Sequence, residues 1–318
     1  MIRLVTVALA LLVATRAGAA AQDWPPQTVR IIVPFAAGAT PDLVARLLAD
    51  SLGQNTGRTF IVENKPGASG NTGTDAVAKA APDGATIGVS IGGPLAINTL
   101  LFARLPYDPA KDLALITLLA TQPSALAVNA KLNVNTVADL IGLIRRNPGA
   151  YAYGSIGTGS LSQLAMEAIA LRSGTSLVHV PYASSPQAVT ALMRGDVQMV
   201  CLPATSITPQ LGGGKIKLLA ITTAQRSALL PGVPTLKESG VDVEADAWMG
   251  LIAPAGLPQV ARIKELVAAA ITSPAVRKKL AAQLMEPIPG TPESFRARVQ
   301  ADIARWKPVI TAAKISIH

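Results

Sequence analysis

The stretch from Val29 to Gly53 constrains the fold more than any other. Val29 to Val33 is an apolar run rich in β-branched residues, the pattern of a buried strand. Thr40 suits a helix N-cap, Pro41 the first helical position and Asp42 the positive end of the helix dipole. Leu43, Val44, Leu47, Leu48 and Leu52 then recur along one helical face, with Gly53 as the natural stop. Between strand and helix, Phe35-Ala36-Ala37-Gly38-Ala39 carries one side chain larger than a methyl group. So bare a loop is either an ordinary tight βα turn or an elbow whose main-chain N–H groups meet an anion. In open α/β sheets ligands sit beyond the carboxyl ends of the strands, where this loop falls.

The alternation continues along the chain. Phe60 to Asn64 predicts a second strand, followed by the Gly-rich loop Lys65 to Gly73 and a helix through Ala80. Ala85 to Ile91 predicts a third strand, closed by Gly92-Gly93-Pro94. This order predicts an α/β chain with a parallel, doubly wound sheet. Leu113 to Val128 is extended and apolar, too long for one compact strand and broken at Pro123. It is a candidate for a strand passing from one domain to another. A second series follows, with a helix capped by Asn135 or Thr136 and stopped at Pro148-Gly149. Tyr151 to Tyr153 is a strand that feeds Gly154-Ser155-Ile156-Gly157-Thr158-Gly159-Ser160, and a helix runs from Leu161 to Ser173. Ser160 and Gln163 have capping-box spacing. The chain thus carries two small-residue elbows, two potential anion cradles. Leu177 to Tyr182, Val197 to Leu202 and Ile216 to Thr222 are further strands, with a helix reaching Arg194 after the first. Asp246 to Ile252 predicts the return crossing, and helices after Pro258, Pro274 and Pro292 finish the chain.

Positions 1 to 21 have the form of an export signal: Arg3, an apolar core from Leu4 to Ala14, and Ala19-Ala20-Ala21 before Gln22. That core is far shorter than the roughly 20 residues of a membrane span. The expected location is therefore the periplasm. Cys201 is the sole cysteine, which excludes an intramolecular disulfide and argues against a Cys-based metal site. The formal charge of +9 is scattered and aromatics are 3%, so the basic, aromatic face of a nucleic-acid binder is missing. Enzyme motifs are scarce. Gly157-Thr158-Gly159 lacks the third glycine of a dinucleotide fingerprint, because Ser162 stands in its place, and Gly214-Lys215 is followed by Ile216. His179 lies in an apolar strand and reads as a core histidine rather than a general base. Asp242, Glu244 and Asp246 alternate along one face and read as a solvated edge. Trp248 reads as packing at the domain junction or lining the cleft. Two soluble α/β domains, two elbows and no catalytic set suggest a cleft binding protein whose domains close by hinge motion.

The series Val33-Pro34-Phe35-Ala36-Ala37-Gly38, Val62 to Asn71, Ala80 to Gly84, Leu105 to Pro109, His179 to Tyr182, Leu230 to Leu236 and Leu251 to Gly256 resembles the tripartite tricarboxylate transporter receptors, or Bug proteins. The resemblance spans nearly the whole mature chain. It implies a two-domain, type II periplasmic binding protein fold, each domain a mostly parallel sheet flanked by helices, joined by two crossing strands. The expected division is 22–121 with 229–318 as one domain and 122–228 as the other. It further implies a monomer without catalysis, cofactor or metal, which captures a small carboxylate and delivers it to membrane permease subunits. A sensor kinase is the alternative partner, and an exported hydrolase the remote alternative. The implied ligand-binding residues are Phe35, Ala36, Ala37, Gly38, Ala39, Thr40 and Asp42 in the first elbow, and Ser155, Gly157, Thr158, Gly159, Ser160 and Gln163 in the second. Ser90 and Gly92 are a third contribution, and Tyr182, Leu202 and Pro203 complete the set. The chain departs from the family pattern at Ala39 (commonly Gly), Gln163 (commonly His) and Cys201-Leu202-Pro203 (often bearing an acidic group). With Leu202 where relatives often place an acid, the ligand is expected to be a carboxylate without an α-amino group; the alternative is that Leu202 turns into the core and decides nothing.

Overall fold

The computed structural model describes residues 24–317, so the export-signal reading of positions 1 to 21 lies outside the described residues. The elements of the first part are β1 (Thr28–Val33), α1 (Thr40–Thr56), β2 (Thr59–Asn64), α2 (Asn71–Ala78), β3 (Thr86–Ile91), α3 (Asn98–Leu101) and β4 (Leu113–Gln122). A second series holds β5 (Ser124–Asn129), α4 (Val137–Arg146), β6 (Ala152–Ser155), α5 (Leu161–Ser173), β7 (Val178–Pro181), α6 (Ser185–Arg194), β8 (Met199–Pro203), α7 (Ala204–Ile207) and β9 (Ile216–Ile221). The chain closes with β10 (Ala247–Pro254), α8 (Val260–Thr272), α9 (Pro274–Ala281), β11 (Glu286–Pro287) and α10 (Pro292–Ala312).

Two sheets result, in the orders β11-β4-β10-β3-β1-β2 and β7-β6-β8-β5-β9. Both are mixed. In the first, β1 pairs in parallel with β2 and β3, while β10 runs antiparallel between β3 and β4. In the second, β6 pairs in parallel with β7 and β8, and β5 is antiparallel to β8 and β9. The strands that oppose their neighbours thus include β5 and β10, the two that follow a passage between the sheets.

Pro123 is the only residue between β4 and β5. Lacking an N–H, it cannot extend the ladder, and its carbonyl instead accepts the Ala204 amide at 3.0 Å. Leu236, Val241, Val243 and Ala245 are buried in one cluster with Leu126, Val128 and Leu164 of the second lobe. The last helix belongs to both lobes: Phe295 and Val299 pack with Trp248 and Leu115, whereas Trp306, Val309 and Ile310 pack with Leu164 and Met166. Gly250 on β10 makes this docking possible, since a Cβ there would collide with the Phe295 ring.

Helix α1 starts and stops differently from the sequence pattern. Its N-cap is Ala39, with no side-chain bond, and it runs through Gly53 to Gly57, whose left-handed φ of 66° ends it and whose N–H returns to the Gly53 carbonyl. Gly92-Gly93-Pro94 does not close β3 with a plain turn. It leads into a π-helical turn, Gly93–Ile97, that continues into α3.

Candidate functional site

Both elbows lie at the carboxyl ends of their strands, and they face one cavity of about 420 Å³ between the lobes. The first elbow contributes Phe35, Ala39, Thr40 and Pro41 to its wall, the second Ile156 and Thr158 to Ser162. The Phe35 ring fits there because the loop after β2 puts Gly70 beneath it, where a Cβ would come within 2.8 Å of the ring.

Asp42 shapes the first elbow from behind. Its carboxylate is 3% exposed and accepts the Gly38 amide at 2.9 Å, Asn64 Nδ2 at 2.9 Å, and Arg46 Nε and Nη2 at 3.0 Å each. Asn64 also donates to the Phe35 carbonyl at 2.9 Å, so one cluster fixes both ends of the loop. Burial alone would raise the Asp42 pKa. The bonds from Arg46, Gly38 and Asn64 outweigh it and hold the carboxyl below its ordinary value.

The second elbow is braced similarly by Gln163. Ser160 is the N-cap, and its Oγ accepts the Gln163 amide. The Gln163 side chain, however, reaches past Ser160 and accepts the Gly159 amide at 2.7 Å. Gly159 adopts φ +76°, and a Cβ on it would lie 2.7 Å from Leu101 Cδ1 and 2.8 Å from Ile317 Cδ1. Only glycine fits this loop without displacing either side chain.

The loop amides are therefore largely spent within the loops. Gly38, Ala39, Gly159 and Ser160 all donate to internal acceptors. The first-turn residues Thr40, Leu161 and Ser162 line the cavity together with Thr158, and the amides of a helix's first turn have no intrahelical acceptor. Two helix N-termini thus direct partial positive charge at one space from opposite sides.

The far wall comes from the crossing strands and the last helix. Trp248 packs edge-to-face on Phe295 and donates its indole N–H to Asp302 Oδ2 at 2.7 Å. Gly92 leaves room for the indole, since a Cβ would lie 3.2 Å from that ring. Asp302 is also met by Arg298 at 3.3 Å and Arg305 at 2.7 Å, and Asp246 by Arg298 at 2.6 Å and by the Thr121 hydroxyl. Burial pushes the Asp302 carboxyl up, with Arg298, Trp248 and Arg305 pulling it down. Glu244 joins through Arg298 at 3.5 Å and Arg305 at 3.2 Å. Of the three alternating acids, Asp242 is exposed as a solvated edge would be, whereas Glu244 is half-buried and Asp246 buried, both held by arginines of α10.

Of the residues expected at the site, Phe35, Ala39, Thr40, Gly92, Thr158, Gly159, Ser160 and Pro203 line the cavity. Ala36, Ala37 and Gly38 are on the exposed outer side of the first elbow. Asp42, Ser90, Ser155 and Gln163 are buried and outside the lining, and Gly157 is half-buried and also outside it. Tyr182 borders a separate surface depression with Arg194 and Asp196. For Leu202 the core alternative holds. Side chains alternate along a strand, so when Cys201 and Pro203 face the cavity, Leu202 turns to the opposite face and packs against Ala188, Val189 and Leu192. It cannot select a ligand. Trp248 lines the cavity, one of its two sequence readings, and Asp246, Asp302 and Ile317 line it without having been expected there. The i, i+4, i+7 spacing of Arg298, Asp302 and Arg305 was the available sequence signal for a charged helix face.

The tripartite tricarboxylate transporter family receptors match residues 44–315. This chain belongs to the TctC family. It is 33% identical to protein BugT of Bordetella pertussis over 301 residues, 93% of this chain and 92% of that protein. Its structure is similar to Rpa4515 of R. palustris with adipate (36% identity, TM-score 0.79, covering 92% of this chain and 99% of that one). It is also similar to MatC of Rhodopseudomonas palustris with bound malate (30% identity, TM-score 0.74, covering 90% and 100%). The two-sheet α/β architecture is the fold of periplasmic binding proteins, and the TctC chain is a solute-binding protein of a transporter family, not an enzyme. Among the described residues no helix is long and apolar enough to cross a membrane.

Proposed function

We propose that this TctC protein captures a small carboxylate in the cavity between its lobes, in the periplasm, and delivers it to the membrane permease subunits of a tripartite tricarboxylate transporter. The observation that carries the reading is the convergence of two helix N-termini from opposite lobes on one cavity. An anion there bridges the lobes, so capture and closure are one event. The adipate and malate held by its relatives support the same class. Phe35, Ile91, Ile97, Met249 and Ile317 surround the rest of the space and suit an apolar ligand body. Among the described residues no Lys, Arg or His contributes to the lining, and both of its carboxylates are already held by arginines. A ligand ammonium would therefore lack a free anionic partner at large cost, which favours a carboxylate without an α-amino group.

A thermal-shift screen tests this. Ligand at about 100 times its dissociation constant adds roughly 2.7 kcal/mol of stability. Mono- and dicarboxylic acids, adipate and aromatic acids among them, should raise the midpoint, and the corresponding amino acids should not. A shift with aspartate or glutamate alone would overturn the ligand class, and no shift with any carboxylate would overturn the function.

A further inference from the structure

His179 is not an inert core residue. Its ring joins two parts of the second elbow, and the hydrogen bonds determine where its proton sits. Gln163 Oε1 accepts the Gly159 amide at 2.7 Å, so the other arm of the same side chain is the NH₂ group. That Nε2 donates to His179 Nδ1 at 3.2 Å, which leaves Nδ1 bare and puts the ring proton on Nε2. The Nε2–H then donates to Ser155 Oγ at 2.6 Å. Ser155 Oγ accepts the Gly157 amide and donates to the Gly157 carbonyl, at 3.2 Å each. A neutral imidazole thus ties Gly157 through Ser155 and Gly159 through Gln163. This is also the wrong tautomer for a Ser–His nucleophile, since the ring offers Ser155 a donor and not a base.

We propose that His179 is a positioning residue that holds the second elbow in its ligand-ready shape only while its ring is neutral, so that acid weakens solute capture. Protonation puts an N–H on Nδ1, facing the N–H of Gln163. Two donors cannot share one hydrogen bond. If the Gln163 amide withdraws, its bond to Nδ1 is lost; if it flips, its NH₂ opposes the Gly159 N–H. The flip frees Gly159, which lines the cavity, and the withdrawal displaces the acceptor of its amide. Of the other groups on this face, the Tyr153 hydroxyl also meets the Gln163 side chain. Tyr153 stacks on the ring with centroids 5.0 Å apart and gives its hydroxyl to Glu167, the one carboxylate of the cluster. Arg172, at the far end of α5, is exposed, while Tyr182 and Asp196 border the surface depression beside α6. Burial also lowers the His179 pKa, which favours the neutral ring near neutrality.

The consequence for capture rests on the proposed function, but the relay can be read without ligand. In ligand-free protein, nitrogen-edited NMR should show the Nε2–H tautomer of His179 at pH 7.5. The Gly159 amide resonance should titrate with the His179 ring in acid. In Gln163→Glu, a carboxylate can accept both the Gly159 amide and a protonated Nδ1–H. The His179 pKa should rise in that variant, and the Gly159 amide should keep its neutral-pH position in acid. With adipate as probe, its own protonation is common to both proteins, so wild-type affinity should fall from pH 7 to pH 5 at least threefold more than that of His179→Asn. An Nδ1–H tautomer, a Gly159 amide indifferent to the His179 titration, or an equal acid loss in His179→Asn would overturn the proposal. Failure of adipate and other carboxylates to bind at any pH would overturn the proposed function instead, with the NMR couplings still deciding the relay.

Discussion

Replacing Asp42 with alanine should destabilise the first lobe by about 3 kcal/mol and weaken capture, although most of this side chain sits behind the cavity. The magnitude follows from its partners. The Gly38 and Asn64 bonds run to a buried, charged acceptor, and such bonds are worth about 1.5–3 kcal/mol each. Asn64 keeps its bond to the Phe35 carbonyl, which puts its loss at the lower end. The Arg46 side chain is 50% exposed and can return to water, so that pair adds about 0–1 kcal/mol. Relief from burying a carboxylate offsets part of the sum. Urea denaturation followed by tryptophan fluorescence reads the change, because Trp24 and Trp248 are buried in the first lobe. The pH dependence has a definite sign. The folded-state pKa of Asp42 lies below its ordinary value, so the stabilisation is present above about pH 3.8 and fades as pH falls through the folded value. The gap between wild type and variant should therefore narrow in acid. An Asp42→Ala protein within about 0.5 kcal/mol of wild type at pH 7, far below the worth of even one such bond, would refute the account of the elbow.

Arg298→Ala should cost about 3–5 kcal/mol in the same assay, because it strips the shared cation from Glu244, Asp246 and Asp302 and leaves buried carboxylates underpaired. Arg298→Lys should recover only part, since an ammonium cannot reproduce the guanidinium fork. Cys201 borders the cavity but exposes no surface to water, and burial pushes its thiol up to about 12, so a disulfide reagent at pH 8 should label it only after denaturation. Rapid labelling of the native protein would contradict its placement. Mass spectrometry of periplasmic material should find the mature chain beginning at Gln22, and an intact Met1 would remove the export reading.

Local chemistry determined much of this protein. The β4–β5 break at Pro123, the Thr136 cap with its Asp139 partner, helix α5 from Leu161 to Ser173 and helix α6 from Ser185 to Arg194 are all written in a few adjacent residues. So are the two elbows, because a glycine-bearing turn between a buried strand and a helix start is a local pattern. Even locally, competition between partners could mislead: the Thr40 hydroxyl caps nothing, while the Asp42 carboxylate reaches back to Gly38. Tertiary structure alone decided what the elbows face and what stands behind them. It turned Leu202 into the core and Cys201 to the cavity, laid α10 across both lobes, and joined Asp246 to Arg298 across 52 positions of chain. It also brought His179 to Ser155 and Gln163, residues 24 and 16 positions away. Such contacts depend on how helices pack over the sheets, and no spacing along the chain encodes that distance.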